Sequence, residues 1–159
     1  KYKLLSTRDA FSDILNKRAC KDSIVRYLNA SAPKARCAFL ILDLDDFKQI
    51  NDQYGHIQGD LCLAGIAECI KKSYANFGYC YRIGGDEFCV LLKNGGNEGR
   101  WKQEFLQRLQ EKRGEIAFLP TVSYGSAPFS GEDIVKVKDR VDQDMYQYKK
   151  ERKNRKRLS

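Results

Sequence analysis

Two acidic positions carry the chemistry open to this chain. Asp86 and Glu87 follow Gly84 and Gly85 in the stretch Tyr79-Cys-Tyr-Arg-Ile-Gly-Gly-Asp-Glu-Phe-Cys-Val90, and Asp43 closes the apolar run from Cys37 to Leu42. Glycine lacks Cβ, takes φ > 0 and lets a ligand come close to the backbone. The adjoining carboxylates therefore stand where a bulky anion could approach. A carboxylate repels a phosphate unless a divalent cation sits between them. If the two positions converge, Asp43, Asp86 and Glu87 offer oxygen ligands for one or two ions, a donor set that suits Mg²⁺ or Mn²⁺. Ions of that kind bridging phosphates make a nucleotidyl- or phosphoryl-transfer centre. Plainer duties also fit, because Gly-Gly-Asp is ordinary turn composition and aspartates at helix starts cap backbone groups.

These residues need elements to position them. Apolar and aromatic residues flanking Gly-Gly-Asp-Glu predict a β-hairpin with the acids at its tip and a second strand over 88–92. The run from Cys37 to Leu42 predicts a buried central strand that delivers Asp43 at its C-terminal end. A short helix follows Asp43 and closes at Tyr54-Gly55; a longer one runs from about Gly59 to Tyr74, with Leu63, Ile66, Ala67, Ile70 and Tyr74 on one face. Upstream, residues 1–18 form an opening segment, and Cys20, Ile24, Val25 and Leu28 make a helical stripe that ends at Ser31-Ala-Pro33. Downstream, Asn94 to Asn97 is a loop, and Trp101, Phe105 and Leu109 stripe a helix that stops near Gly114. Ile116 to Tyr124 reads as a strand. A last helix opens at Gly131-Glu-Asp133 and carries Ile134, Val137, Val141, Met145 and Tyr148 at helical spacing. The expected class is α+β, a central and mostly antiparallel sheet flanked by helices.

With 159 residues, 42% of them apolar and 31% charged, the chain is sized and composed as one globular domain. No apolar run is long enough to cross a bilayer. The six cysteines form no Cys-x-x-Cys pair and lie in apolar segments; they read as reduced, buried side chains of a cytoplasmic protein. A single His argues against a zinc site. Net charge is +8, of which residues 149–157 hold +6. The basic balance thus belongs to a C-terminal tail over 149–159 that reads as a solvated helix end. Its run has no aromatic interleaving for base stacking, which speaks against nucleic-acid binding. The chain begins at Lys1 without Met, and the expectation is a domain cut from a longer protein.

The ordered set Asp43-Leu-Asp-x-Phe-Lys-x-Ile-Asn-Asp-x-x-Gly-His-x-x-Gly-Asp60 and Arg82-x-Gly-Gly-Asp-Glu-Phe88 resembles the GGDEF domain of diguanylate cyclases. Asp9-x-Phe-Ser-Asp-Ile-Leu-Asn-Lys-Arg18 loosely resembles the family's opening motif. Thr121-Val-Ser-Tyr-Gly125 resembles its late strand, and Asp142-x-x-Met-Tyr-x-x-Lys149 its last helix. The resemblance covers nearly all of the chain. It implies a palm-like, nucleotidyl-cyclase-like sheet and the condensation of two GTP into cyclic di-GMP with release of two pyrophosphates. It also implies a homodimer for turnover, two Mg²⁺ or Mn²⁺ per site and an upstream sensory domain, with no membrane contact by this domain.

Residue by residue, the resemblance makes Asp43, Asp86 and the Leu44 carbonyl metal ligands, with Glu87 a second acid near the ions. Asp86 also matches the group that accepts the 3′-hydroxyl proton. Lys48 is placed to stabilise charge developing on the phosphates, and Lys149 and Lys153 match phosphate-contacting positions on the last helix. Asn51 and Asp60 match the guanine-reading pair; Asp60, an acceptor for the donors on N1 and N2, favours GTP. His56, in the Gly-His-x-x-Gly-Asp turn, falls near the nucleotide, and Gly84 and Gly85 line its approach. Arg82 is expected to orient the hairpin by pairing with a carboxylate.

The chain departs from the family in three places. An Arg-x-x-Asp product-inhibition site is common before the hairpin, and here those positions are Ala75-Asn-Phe-Gly78, so no feedback through that site is expected. Arg152 replaces a usual Gly, so the last helix is expected to run past its usual stop, and Lys153 stands where Arg is usual. Asp13 stands where the opening motif usually has Gly. The competing reading is a catalytically inactive GGDEF domain that regulates by binding GTP or a protein partner.

Overall fold

The computed structural model describes residues 15–16, 37–92, 98–129 and 134–158. The expected helix through Cys20 to Leu28, the loop over 94–97 and the helix opening at 131–133 lie outside the described residues. Strands are β1 (Leu15–Asn16), β2 (Cys37–Leu44), β3 (Gly78–Arg82), β4 (Glu87–Leu92) and β5 (Val122–Phe129). Helices are α1 (Phe47–Tyr54), α2 (His56–Tyr74), α3 (Glu98–Glu115) and α4 (Ile134–Leu158).

The strands form a single sheet in the order β1-β3-β4-β2-β5, antiparallel throughout except for the parallel pair β1 and β3. The long apolar run thus becomes a central strand, flanked by β4 and β5. Alternation of side chains splits the sheet into two faces. Leu40, Leu42 and Leu44 join Phe88 and Val90 in the main core, under Ile66, Ile70 and Tyr74 of α2 and Trp101, Phe105 and Leu109 of α3. The opposite face is closed by α4, whose Val137, Val141 and Met145 are buried. At Gly125 in β5 an added Cβ would lie 2.6 Å from the Val141 carbonyl oxygen and 2.9 Å from Met145 Cβ. The absence of a side chain there lets α4 lie flat on the sheet.

Two boundaries differ from the sequence reading. Residues 116–119 are not strand: Ile116 N–H donates to Lys112 O at 2.9 Å and Leu119 N–H to Ile116 O at 3.1 Å, so the chain leaves α3 through a turn before Pro120. The strand instead runs from Val122 to Phe129, because pairing with all eight residues of β2 outweighs the break that Pro128 suggests. β5 is an edge strand, where proline is tolerated. Second, α2 starts at His56 rather than Gly59, after Gly55 takes φ 90°, so His56 is an exposed first helical residue and not part of the turn. The last helix does continue, through Arg152 to Leu158. No helix among the described residues is long and apolar enough to cross a membrane.

Candidate active site

The register of β2 and β4 decides the central question. Asp43 stands opposite Glu87, and Leu44 N–H donates to Asp86 O at 3.0 Å, so the end of the central strand lies against the hairpin tip. On the other side Asp45 N–H donates to Thr121 O at 2.9 Å. Asp46 then takes the left-handed conformation (φ 54°), one that aspartate tolerates better than most residues, and swings the chain into α1. A cleft of about 450 Å³ opens where these segments meet, lined by Asp43, Leu44, Asp45, Asp46, Phe47, Lys48, Asp86, Thr121, Ser123, Lys149, Arg152 and Lys153.

The cleft mixes acids with cations. Lys149 Nζ donates to Asp43 Oδ2 at 3.0 Å. Asp45 accepts from Ser123 Oγ at 2.5 Å, from Thr121 Oγ1 at 2.7 Å and from Arg152 Nη1. Burial raises the Asp43 carboxyl above its ordinary range, with Asp86 and Asp45 adding to the rise and Lys149 opposing it. Glu87 is raised too, by burial and then by Asp43 and Asp86. Burial works against the Lys149 ammonium, but its bond to Asp43 and the charges of Asp45 and Asp86 raise it overall. These carboxylates crowd one another and gain from any cation placed between them.

The hairpin tip is held by Arg82, whose Nε donates to Gly84 O at 3.1 Å and Nη2 to Gly85 O at 2.8 Å. Its grip on the turn thus runs through carbonyl oxygens. Neither tip glycine uses a positive φ, since Gly55 is the one glycine with that conformation among the described residues. Gly85 instead faces open space, with no atom within 4 Å of a Cβ built there, and Gly84 meets only Glu87 Cβ at 3.5 Å. Neither position is thus crowded by the rest of the described chain.

The expected residues fall into two zones joined by α1. Asp43, Leu44, Lys48, Asp86, Lys149 and Lys153 line the cleft. Glu87 is not among the lining residues; it feels Lys138 and Asp142 as well as Asp43 and Asp86, on the α4 side of the sheet. Asn51 lies one turn beyond Lys48, and its side chain rests on Gly59: a Cβ there would stand 1.8 Å from Asn51 Oδ1. That contact puts Asn51 beside the residue preceding Asp60, with exposed His56 at the start of the same helix. A larger groove of about 610 Å³ between α2 and α3 is lined by charges that already pair, Lys112 with Glu68 at 2.8 Å and with Glu115 at 3.2 Å.

The donors suit a hard divalent ion, being carboxylate and carbonyl oxygens, and the Lys149 ammonium on Asp43 marks where a cation is already favoured. Among the described residues no three acidic, Cys or His side chains are yet gathered closely enough to hold a metal ion.

The family model for the diguanylate cyclase GGDEF domain matches residues 6–155. The chain belongs to this family. A diguanylate cyclase from Vibrio cholerae is 28% identical over 97% of this chain and 50% of its own length. DgcN, a diguanylate cyclase of Escherichia coli, is 32% identical over 91% of the chain and 37% of its own. This GGDEF domain therefore spans about half or less of those relatives. Among solved structures, the GGDEF domain of DgcB from Caulobacter crescentus in complex with c-di-GMP superposes with a TM-score of 0.75, at 25% identity and 94% coverage of both chains. Diguanylate cyclase SiaD with its activator SiaC, from Pseudomonas aeruginosa, gives 0.77 at 25% identity, over 92% of this chain and 59% of that one.

Motif reading of this GGDEF domain missed the group around Asp45. Asp45, Thr121, Ser123 and Arg152 form one hydrogen-bonded cluster at the cleft although 76 to 107 residues separate Asp45 from its partners. The available signal was the two-residue spacing of Asp43 and Asp45 and of Thr121 and Ser123, with Asp45 just past the end of β2 and Thr121 just before the start of β5.

Proposed function

We propose that the chain is the catalytic domain of a diguanylate cyclase, condensing two GTP molecules into cyclic di-GMP across a homodimer. The observation that carries this is the junction of β2 with the hairpin tip, which sets Asp43 and Asp86 on one cleft beside Lys48, Lys149 and Lys153. Asp43, Asp86 and the Leu44 carbonyl are the residues to hold Mg²⁺ or Mn²⁺, two ions per site, with Glu87 close behind. When bound, such ions neutralise phosphate charge and make a hydroxyl easier to deprotonate. Lys48, Lys149 and Lys153 bind and orient the triphosphate, and stabilise charge as it develops. Asp86 takes the proton from the 3′-hydroxyl. The 3′-oxygen bonds to the α-phosphorus of the other GTP, and the α–β bridging bond breaks to release pyrophosphate. Asn51 and Asp60 read guanine, with His56 nearby, and bare backbone at Gly84 and Gly85 admits the nucleotide. An upstream sensory domain supplies the signal. The domain sits in the cytoplasm, touching neither membrane nor nucleic acid.

A second reading, a domain that binds GTP and regulates without turnover, is favoured by one observation: Lys149 occupies the Asp43 carboxylate. One experiment separates the two. A dimerised form of the chain is incubated with GTP and Mg²⁺ and the nucleotides are chromatographed. The cyclase reading expects cyclic di-GMP and pyrophosphate, with no product from a folded Asp86→Ala variant. Bound but unconverted GTP supports the second reading and overturns the first.

A further inference from the structure

Asp45 lies just past the end of β2, and its charge is felt at Asp43. Left to itself it would add negative charge facing a triphosphate. It would also offer an oxygen donor beside those proposed for the metal. In this chain both tendencies are held in check by three donors: Ser123 Oγ at 2.5 Å, Thr121 Oγ1 at 2.7 Å and Arg152 Nη1. The Thr121 hydroxyl gives its proton to Asp45 and accepts from Arg152 Nη2 at 2.6 Å, so one hydroxyl orients both partners. The guanidinium also packs over the Tyr148 ring, 5.7 Å from its centroid, and Arg152 and Asp45 are 23% and 19% exposed. Position 152 reaches the cleft because α4 continues to Leu158.

We propose that Arg152 is a positioning residue that cancels the Asp45 charge and keeps this carboxylate out of the divalent ion's ligand set. The inference rests on the cyclase reading of the cleft. Its consequence is a division of labour among cations on one helix: Lys149 and Lys153 serve the nucleotide, and Arg152 serves Asp45. An extra full charge several ångströms from a triphosphate, in a half-exposed site, alters affinity by about tenfold.

The test compares steady-state GTP kinetics of the dimerised chain as wild type, Arg152→Ala, Arg152→Gln, Arg152→Lys, Asp45→Asn and the Arg152→Ala/Asp45→Asn double variant. Mn²⁺ binding is followed in parallel by electron paramagnetic resonance without nucleotide, with circular dichroism as the check on folding. Arg152→Ala and Arg152→Gln are expected to raise the GTP KM about tenfold, more than they lower kcat, and to tighten Mn²⁺ binding as Asp45 becomes available. Arg152→Gln keeps bulk and hydrogen bonding should Arg152→Ala fold poorly. Arg152→Lys restores the KM to within about threefold of wild type, because it keeps the charge. The double variant falls back to the KM of Asp45→Asn alone. If it keeps the KM of Arg152→Ala instead, Arg152 touches the nucleotide itself and the proposal is wrong. Mn²⁺ binding that is unchanged or weaker in Arg152→Ala and Arg152→Gln overturns it too. A wild type that makes no cyclic dinucleotide defeats the cyclase reading, while the Mn²⁺ measurement still decides this one.

Discussion

Lys149 and Asp43 meet at 3.0 Å, tying the last helix to the end of the central strand. Two opposed influences act on this carboxylate. Burial and the charges of Asp86 and Asp45 push its pKa up, and Lys149 pulls it down. Lys149→Ala is therefore expected to move the Asp43 titration further up, as read by carboxyl-carbon NMR on metal-free protein. On the proposed function the same variant also loses a cation for the phosphates, so kcat/KM for GTP should fall about ten- to a hundredfold. A titration that stays where it was would show that the contact does not hold in solution.

Gly59 makes room for Asn51. A Cβ at position 59 would stand 1.8 Å from Asn51 Oδ1 and 3.0 Å from its Cγ, and what must yield is the end of a side chain rather than backbone. Gly59→Ala should thus fold, helped by up to about 1 kcal/mol of helix propensity, yet displace Asn51. If Asn51 reads guanine as proposed, the expected result is a GTP KM raised about tenfold and weaker discrimination against ATP, because hydrogen bonds to a base carry such specificity. Unchanged nucleotide preference would remove Asn51 from the guanine site.

Much of this arrangement was legible in the sequence, for a physical reason. The run from Cys37 to Leu42 becomes a strand flanked by strands, with Ala38, Leu40, Ile41 and Leu42 buried, and the α2 stripe from Leu63 to Tyr74 is buried as its spacing requires. The acids at Asp43 and Asp86 stood out by local contrast, at the end of one strand and the tip of a hairpin. What stayed hidden were relationships with no local signature. The stretch from Gly125 to Phe129 joins β5 only through its pairing along β2 at the sheet edge. Arg152 looks like a solvated charge in a basic run until α4 is laid on the sheet and its guanidinium meets Asp45.

Feedback inhibition through the site before the hairpin is not expected, and the fold explains why it cannot be restored simply. Gly78 begins β3 so close to β4 that a Cβ would lie 2.1 Å from the Leu91 carbonyl oxygen, a backbone atom that cannot turn away. The neighbouring Phe77 ring stacks on Trp101 at 4.5 Å. Adding low-micromolar cyclic di-GMP to initial-rate assays at saturating GTP should leave the rate unchanged. Ala75→Arg/Gly78→Asp, which rebuilds the charge pair, should lose about 1–3 kcal/mol of stability or more through the crowding at position 78. A stable double variant that acquires inhibition would contradict this packing argument.

Glu87 is held in a setting that resists its charge. Burial comes first, then Asp43 and Asp86, and its pKa is raised above the ordinary 4.5. A carboxyl whose folded-state pKa is raised favours the fold while protonated and loses that advantage as pH climbs through the folded value. At neutral pH, then, Glu87 costs stability, the usual trade of an active site. Glu87→Gln should melt about 1–3 °C higher than wild type at pH 7.5 without divalent ions. Below pH 4.5 the two should converge, because wild-type Glu87 is then neutral as well. Saturating Mg²⁺ and GTP should narrow the gap at pH 7.5, since bound cations relieve the repulsion only where the charge is present. A variant less stable than wild type at every pH would mean that Glu87 pairs with a cation such as Lys138, and that the acids of this cleft do not strain against one another.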